Sequence, residues 1–331
     1  MSMYPQPQGS PGSPDPSSFS DLRSRLRPMG VGDILDETFQ LYRANFGLVV
    51  ATVAVVRVIS TVLTIALGVI FVASSFSSLS SFAQTYGNDQ TAALNELRGI
   101  AGGLIAYGLL IFLISTILTA LQNAALAVSI SNRYLGRTIS VGEAYRLSFA
   151  RLGALMAAQL WIIVRAILAF IVYSILLAIV AGVLGARLSA LLGMVGGLFF
   201  IYFGVSWALT TQVVMLDNMG GFVATGRSRS LVRGYWWKSF GVILVAVVLV
   251  WIINLIVTRI TGSAFGVSGI VVSGIVNLII GILLAPIQSI ALTLLFYDLK
   301  IRKEAFDLEA MVGQLSSPAS PPPYSSPPQQ L

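Results

Sequence analysis

The chain has 331 residues, of which 56% are hydrophobic and only 10% are charged, and its mean hydropathy is +0.86. A soluble domain carries about a quarter of its residues as charged side chains, so this composition excludes a soluble globular protein. The sequence contains no His and no Cys, which excludes disulfides, imidazole or thiolate catalysis and the usual zinc and copper ligands.

Polar tails flank the hydrophobic region. Residues 1–28 and 311–331 are rich in Pro, Ser, Gly and Gln, and such segments cannot bury a core, so we expect both to be disordered. The second tail contains PPPY at 321–324, which matches a WW-domain ligand, but a solvated Pro-rich tail explains so short a match better. Residues 29–310 are predicted to form one membrane domain.

The membrane domain begins with an acidic stretch, GVGDILDETFQLYRANFG at 30–47. Its apolar residues recur at helical spacing, which predicts an amphipathic helix at the membrane interface. Asp33, Asp36 and Glu37 share its surface and could in principle bind a metal or act as acid and base. Acids near a helix N-terminus are favoured by the helix dipole, and we interpret these three as a solvated face. We therefore predict no metal, no cofactor and no catalytic residue.

Six long apolar runs follow, and each has the roughly 20 residues needed to cross a bilayer. Backbone groups cannot bond to water in lipid, so spanning segments are helices or closed barrels, and these runs are too long for barrel strands. We predict an all-α membrane protein with six transmembrane helices at about 46–74, 100–130, 152–183, 190–216, 239–261 and 267–297.

The pattern repeats three times along the chain. Stretches resembling the first precede the third and fifth spans, namely SVGEAYRLSFARLG at 140–153 and GGFVATGRSRSLVRGYWWKSFG at 220–241. The second span of each pair carries a glutamine within apolar sequence: Gln122, Gln212 and Gln288. We predict three repeats of an amphipathic helix plus a helical hairpin.

Two arginines interrupt the spans. Arg57 lies about 11 residues into the first span and Arg165 about 13 into the third, where a charge costs at least a few kcal/mol. No Asp or Glu falls within the six runs, so the available partners are amides: Gln122, Asn123, Gln159, Gln212, Asn254, Asn277 and Gln288. The two arginines are candidates for holding an anion or a lipid headgroup. The alternative is that each bonds backbone carbonyls and amides inside the bundle, or extends to the interface.

The other basic residues are distributed unevenly between the loops. Fifteen lie on one side of the predicted topology, and only Arg98, Arg187 and Arg259 lie on the other. The positive-inside bias therefore predicts cytoplasmic termini. Because orientation accounts for the basic charge, we predict no nucleic-acid partner. The fifteen are Arg23, Arg25, Arg27, Arg43, Arg133, Arg137, Arg146, Arg151, Arg227, Arg229, Arg233, Lys238, Lys300, Arg302 and Lys303.

Three stretches carry a family resemblance: GDILDETFQLYRANFG (32–47), ATGRSRSLVRGYWWKSFGVIL (224–244) and LLFYDLKIRKEAFDLE (294–309). Together they resemble the membrane domain associated with prokaryotic glycerophosphoryl diester phosphodiesterases, over most of residues 30–310. The resemblance implies a prokaryotic cytoplasmic membrane and a membrane region that accompanies a separate catalytic domain. It transfers no catalytic residue, because the matching motifs contain none.

These observations favour a non-catalytic membrane module that associates with anionic lipid or another anionic amphiphile, or that is the partner of a separate enzyme in the membrane or cytoplasm. One alternative is a small transporter or channel-like protein with Arg57 and Arg165 lining its route, which predicts a polar cavity that reaches both membrane faces and has both arginines turned inward. Another is a membrane-shaping scaffold, which predicts a sealed core. A lipid-binding module predicts a cavity with a side opening to the bilayer.

Overall fold

The computed structural model describes residues 28–85, 90–264 and 269–304, and the regular elements in these ranges are all helices. The predictions for the two tails, including PPPY at 321–324, fall outside the described residues apart from Pro28. The helices in chain order are α1 (Val31–Ala44), α2 (Phe46–Thr85), α3 (Gln90–Tyr134), α4 (Val141–Ala150), α5 (Leu152–Leu184), α6 (Ala186–Trp207), α7 (Thr210–Leu216), α8 (Gly221–Val232), α9 (Trp236–Ala264) and α10 (Gly269–Glu304).

Six segments of the described chain are long and apolar enough to cross a membrane. The predicted all-α, six-span fold is confirmed, and the chain is a multi-pass membrane protein. The segments are Phe46–Phe82, Leu94–Tyr134, Leu152–Val183, Leu191–Leu216, Trp236–Ile260 and Gly274–Glu304.

The first two spans are longer than the sequence predicted. The 40 residues of α2 extend for about 60 Å at 1.5 Å per residue, twice the hydrocarbon thickness of about 30 Å. The prediction ended this span at residue 74, where serines begin. The helix continues because a serine can return its hydroxyl to its own backbone, as Ser74 does to the carbonyl of Phe71 at 2.9 Å.

The fourth span is not one continuous helix as predicted. It is interrupted at Ala208 and Leu209, between α6 and α7. Here the Thr210 hydroxyl donates to the Trp207 carbonyl at 2.7 Å. This bond gives the carbonyl a partner at the point where the regular helical hydrogen bonds are interrupted. Irregular backbone at membrane depth is tolerated where it lines a cavity, and Ala208 does line one.

The order of one short helix followed by a long helical hairpin occurs three times, with α1, α4 and α8 as the short helices. Within residues 30–296, each short helix packs on the hairpin of the preceding repeat, in cyclic order. Helix α4 contacts α2 and α3, helix α8 contacts α5, α6 and α7, and α1 contacts α9 of the last repeat.

A hydroxyl-to-carbonyl hydrogen bond secures each of these three contacts. A side chain of the short helix donates to a backbone oxygen of the neighbouring hairpin, so the same type of bond recurs in all three repeats. The bonds run from Tyr145 to Thr52 (2.5 Å), from Ser228 to Ser206 (2.9 Å) and from Tyr42 to Leu283 (3.0 Å).

The packed core lies in the part of the helices that meets these short helices. Residues 124–127 of α3 are wholly buried, and three of the four are alanine. Small side chains let helices approach closely, and Ala125 accordingly packs in one cluster with Val128, Ile139 and Ala144.

The chain divides into two compact units, residues 30–296 and a second made of 1–29 with 297–331. The described part of the second unit contains a buried ion pair. Asp298 is wholly buried, accepts from the Met29 backbone N–H at 2.8 Å, and pairs with Arg302 at 3.1 Å. Arg302 also donates to the Met29 carbonyl at 2.9 Å. Two residues of the resemblance motif FYDLKIRKE, Asp298 and Arg302, thus bind the backbone of Met29.

Candidate functional site

A polar cavity of about 390 Å³ lies among the spanning helices of residues 30–296. Helices α2, α3, α7, α9 and α10 contribute to it, together with the break between α6 and α7. Most of its lining side chains are polar, which is unusual for the interior of a membrane protein. The described lining residues are Arg57, Thr119, Gln122, Asn123, Ala208, Thr211, Gln212, Val250, Asn254, Asn277, Gly281, Leu284, Ala285, Gln288, Ser289 and Leu292.

The three repeat glutamines meet in this cavity. Gln122 comes from α3, Gln212 from α7 and Gln288 from α10, so each repeat contributes one. Each lies in the second span of its repeat, and the cyclic packing of the repeats brings those spans around one space. An amide side chain both donates and accepts hydrogen bonds, and the cavity therefore offers both functions from three directions.

Arg57 supplies the positive charge of the cavity. A methyl group built on Gly281 of α10 would lie 3.9 Å from its Cζ, so the guanidinium rests directly over that glycine. Within the described part of the chain, Arg57 has no hydrogen-bond or ion-pair partner. None of the described lining residues is Asp or Glu, so the described lining carries a net positive charge.

Two polar atoms of the lining are buried without a protein partner in the described residues. They are Oε1 of Gln212 and Oγ of Ser289, and these residues are only 2% and 4% exposed. Leaving a buried polar group unbonded costs about 1–3 kcal/mol. Both residues line the cavity, but these two atoms are themselves almost inaccessible and belong to its wall.

The lining residues of the cavity differ in exposure. Gln122 and Gln212 are buried, whereas Arg57, Asn277 and Gln288 are exposed. The three exposed residues lie on α2 and α10, and a ligand would reach the guanidinium beside these two spanning helices.

Arg165 lies in a second, separate groove of about 590 Å³. Its guanidinium stacks over the Trp161 ring at 4.4 Å and lies 5.9 Å from the Trp207 ring centroid. Arg229 of α8 lines the same groove. The full described lining is Ile162, Arg165, Ala166, Ala169, Phe199, Phe200, Phe203, Gly204, Trp207, Thr225, Gly226 and Arg229.

A family defined by sequence matches residues 23–317, which is most of the chain, and its description is Domain of unknown function (DUF8558). The chain belongs to this family. No curated protein and no solved structure matches the chain.

For this family member, the structure brings together most of the predicted polar residues. Six of the seven amides proposed as partners of the arginines line the Arg57 cavity, namely Gln122, Asn123, Gln212, Asn254, Asn277 and Gln288. Gln159 lies on α5 and is not among the described residues that line either space. Arg57 and Arg165 themselves are not brought together.

The acidic residues of α1 lie outside both spaces. Asp33 accepts a hydrogen bond from the Gly30 backbone N–H at 2.8 Å, which satisfies one of the open donors at the helix N-terminus. Asp36 is exposed and Glu37 is half-buried. Among the described residues no group of three or more His, Cys, Asp or Glu is arranged to hold a metal.

Several lining residues were missed in the sequence, although a local signal existed for most of them. Thr119 lies three residues before Gln122 and shares its helix face, and Thr211 and Ser289 lie directly beside Gln212 and Gln288 in the sequence. Trp161 precedes Arg165 by four residues, which is the spacing of side chains that touch. Arg229 had no such signal, because it was read as one of the basic loop residues.

Proposed function

We propose that this multi-pass membrane protein is a non-catalytic module that binds the anionic group of a membrane amphiphile in the Arg57 cavity. The observation that carries the proposal is one cation surrounded by neutral amides and hydroxyls, with no carboxylate in the described lining. Such a set of side chains has the charge and the hydrogen-bonding capacity to hold an anion.

The energetics of charge support an anionic ligand. A guanidinium within a membrane-spanning helix is costly unless a counter-charge or polar groups compensate it. Arg57 has no partner among the described residues, so an anion would supply the compensation. Arginine binds phosphate and carboxylate groups through two parallel N–H donors, which gives both energy and orientation.

The amides suit a ligand that also carries hydroxyl or ester oxygens. Gln288 lines the cavity and is exposed, and a hydroxyl of the ligand could donate to its amide oxygen. The amide N–H groups could donate to phosphate oxygens. The shared chemistry of the ligand is thus a phosphate ester with hydrogen-bonding substituents, either on a lipid or on a soluble molecule.

The positions of the exposed lining residues favour a lipid source. The exposed lining residues lie on spanning helices α2 and α10, so an amphiphile could present its headgroup to Arg57 while its chains stay in the bilayer. The short helices α1, α4 and α8 would lie near the interface, with both termini cytoplasmic in a prokaryotic cytoplasmic membrane. The resemblance of 30–310 to a phosphodiesterase-associated membrane domain suggests a separate enzyme as partner.

The alternatives gain less support. A single transport route past both arginines is not favoured by Arg57 and Arg165 lining separate spaces. A scaffold with a sealed core is not favoured by a cavity of about 390 Å³. We propose the absence of catalysis from the sequence, which has no His or Cys and no carboxylate in the predicted spans.

Native mass spectrometry of the full chain tests the proposal. The protein would be released from nanodiscs containing equal amounts of phosphatidylglycerol and phosphatidylcholine. We expect Arg57→Gln to carry one bound phosphatidylglycerol fewer than wild type, because the occupancy of the cavity should fall about tenfold when a charge-assisted contact of about 1.5–3 kcal/mol is lost. Arg57→Lys keeps the charge and should retain an intermediate amount.

Arg146→Gln is the matched control, because Arg146 is 78% exposed and pairs only loosely with Glu143 at 3.9 Å. A second arm replaces the lipid with soluble glycerol phosphate. Retention of the soluble ester by wild type in place of the lipid would identify a soluble anion as the ligand and overturn the lipid assignment. Equal lipid retention by wild type and Arg57→Gln would overturn the anion site itself.

A further inference from the structure

The groove that contains Arg165 combines two positive charges with an apolar wall. Helices α5 and α6 form the wall, and α8 contributes Thr225, Gly226 and Arg229 at one end. We propose that this groove binds one anionic phospholipid of the bilayer, independently of the Arg57 cavity. The headgroup would lie between Arg165 and Arg229, and an acyl chain would lie along the wall.

The two arginines are held in place but not neutralised. Arg165 stacks on Trp161, and Arg229 lies 5.9 Å from the Phe203 ring centroid. Ring faces attract a cation without cancelling its charge. Neither arginine has a hydrogen-bond or ion-pair partner among the described residues, and none of the described lining residues is acidic.

A neighbouring arginine on the same helix shows the contrast. Arg227 of α8 lies 3.6 Å from the carboxylate of Asp217, so the protein itself supplies its counter-charge. Arg229, two residues later, lines the groove with Arg165 instead. Two unpaired guanidiniums in one groove match a phosphate group, which can accept from both.

The rest of the groove suits an acyl chain. Its wall consists of Ile162, two alanines and three phenylalanines, and Phe199 is 48% exposed, so the wall continues onto the outer surface of the spanning helices. An occupant would therefore enter sideways from the lipid. The apolar wall beside a cationic end matches the two parts of an anionic phospholipid, and attraction between basic side chains and anionic headgroups strengthens such binding.

A headgroup bound in this groove would also bear on the depth of Arg165. By residue count, a position about 13 residues into the third span lies near mid-membrane. The groove also contains Arg229 of the short helix α8, so a headgroup bound there would lie at the level of α8.

Photo-crosslinking in nanodiscs tests the proposal. The full chain would be reconstituted with a phosphatidylglycerol that carries a diazirine on its acyl chain, and labelled peptides would be identified by mass spectrometry. We expect labelling on residues 162–169 and 199–207, and competition by unlabelled phosphatidylglycerol but not by phosphatidylcholine. Arg165→Gln and Arg229→Gln should each reduce labelling about tenfold, as expected for loss of one charge-assisted contact.

Ala169→Trp would place a large side chain in the groove while keeping both positive charges, and it should also reduce labelling. Arg146→Gln is the surface control, and Arg57→Gln should leave groove labelling unchanged because it alters the other site. Equal competition by phosphatidylcholine, or undiminished labelling of both arginine variants, would overturn the proposal. The effect of Arg57→Gln is measured by crosslinking at the groove and by native mass spectrometry for the cavity. Failure of one proposal can therefore be distinguished from failure of the other.

Discussion

Arg57 and Arg165 occupy similar positions in sequence, each in the first span of its repeat, yet their surroundings differ completely. Arg57 faces amides and hydroxyls, whereas Arg165 stacks on tryptophan beside an aromatic and aliphatic wall. The first environment resembles a binding site for a polar headgroup, and the second resembles a surface for a whole amphiphile.

The difference shows that the neighbouring repeat decides the chemistry of each arginine. The Arg57 cavity is completed by α9 and α10 of the third repeat. The Arg165 groove is completed by the short helix α8. A charged residue in a span is thus an indication of function whose meaning depends on the helices that pack around it.

The largest effect is expected at the contact that holds α8 against α5. A methyl group built on Gly221 would lie 2.2 Å from the Ala154 carbonyl oxygen and 2.6 Å from the Ala158 nitrogen. Because both are backbone atoms, a side chain there forces the helices apart. We expect Gly221→Val to lower stability by at least about 3 kcal/mol and to abolish labelling of the groove, measured by thermal unfolding in detergent and by photo-crosslinking.

Gly226→Val is the matched control for stability alone, because nothing lies within 4 Å of a methyl group built there, although Gly226 lines the groove. It should unfold at the wild-type temperature. An unchanged melting temperature for Gly221→Val would show that α8 is not held by this close approach, and the groove would then lack its basic end.

The second effect concerns the cavity and should leave the groove intact. Gly281 lies beneath the Arg57 guanidinium, so Gly281→Leu would place a branched side chain where the guanidinium rests. We expect retention of phosphatidylglycerol at the cavity to fall about tenfold, as for loss of the charge itself, with no change in groove labelling. Native mass spectrometry measures lipid retention, and crosslinking measures labelling of the groove.

Gly281→Ala should bind like wild type, since its methyl group would make an ordinary contact at 3.9 Å. Gly274→Leu on the same helix is the control for added bulk, because a methyl group there meets nothing within 4 Å. Loss of binding in Gly274→Leu as well would mean that the effect does not arise in the cavity.

The smallest effect is expected where α4 attaches to the first hairpin, next to the cavity helices. Tyr145→Phe removes the hydrogen bond to the Thr52 carbonyl and should cost about 1 kcal/mol at neutral pH. Burial raises the pKa of Tyr145 to about 12 from an ordinary value of 10.0. The folded protein thus holds the phenolic proton more tightly than the unfolded chain does.

The contribution of this proton to stability is complete below pH 10 and is lost as the pH rises from about 10 to 12. The thermal unfolding temperature should therefore fall more steeply with rising pH in wild type than in Tyr145→Phe across that range. Tyr107→Phe is the control, since the Tyr107 hydroxyl bonds to no described residue. Identical pH profiles for wild type and Tyr145→Phe would contradict the assigned role.

Much of the architecture was predictable because lipid imposes simple rules on sequence. Long apolar runs indicated six helices, and the recurring short stretches with one glutamine per hairpin indicated three repeats. The ends of α2 and α3 were not predictable, because polarity marks where a span leaves the lipid and not where its helix stops. The break at Ala208 was missed because its sequence is as apolar as the helix around it.

Hydropathy along the sequence is enough to predict a helical chain that spans a membrane six times and carries two arginines within its spans. The folded structure is needed to see that Gln122, Gln212 and Gln288 line one cavity with Arg57, and that Arg165 lines a groove with Arg229. The physical reason is that hydrophobicity fixes which segments enter the lipid, whereas the cyclic packing of short helices on neighbouring hairpins fixes which faces meet. That packing depends on close approach and on single hydrogen bonds between residues far apart in the chain.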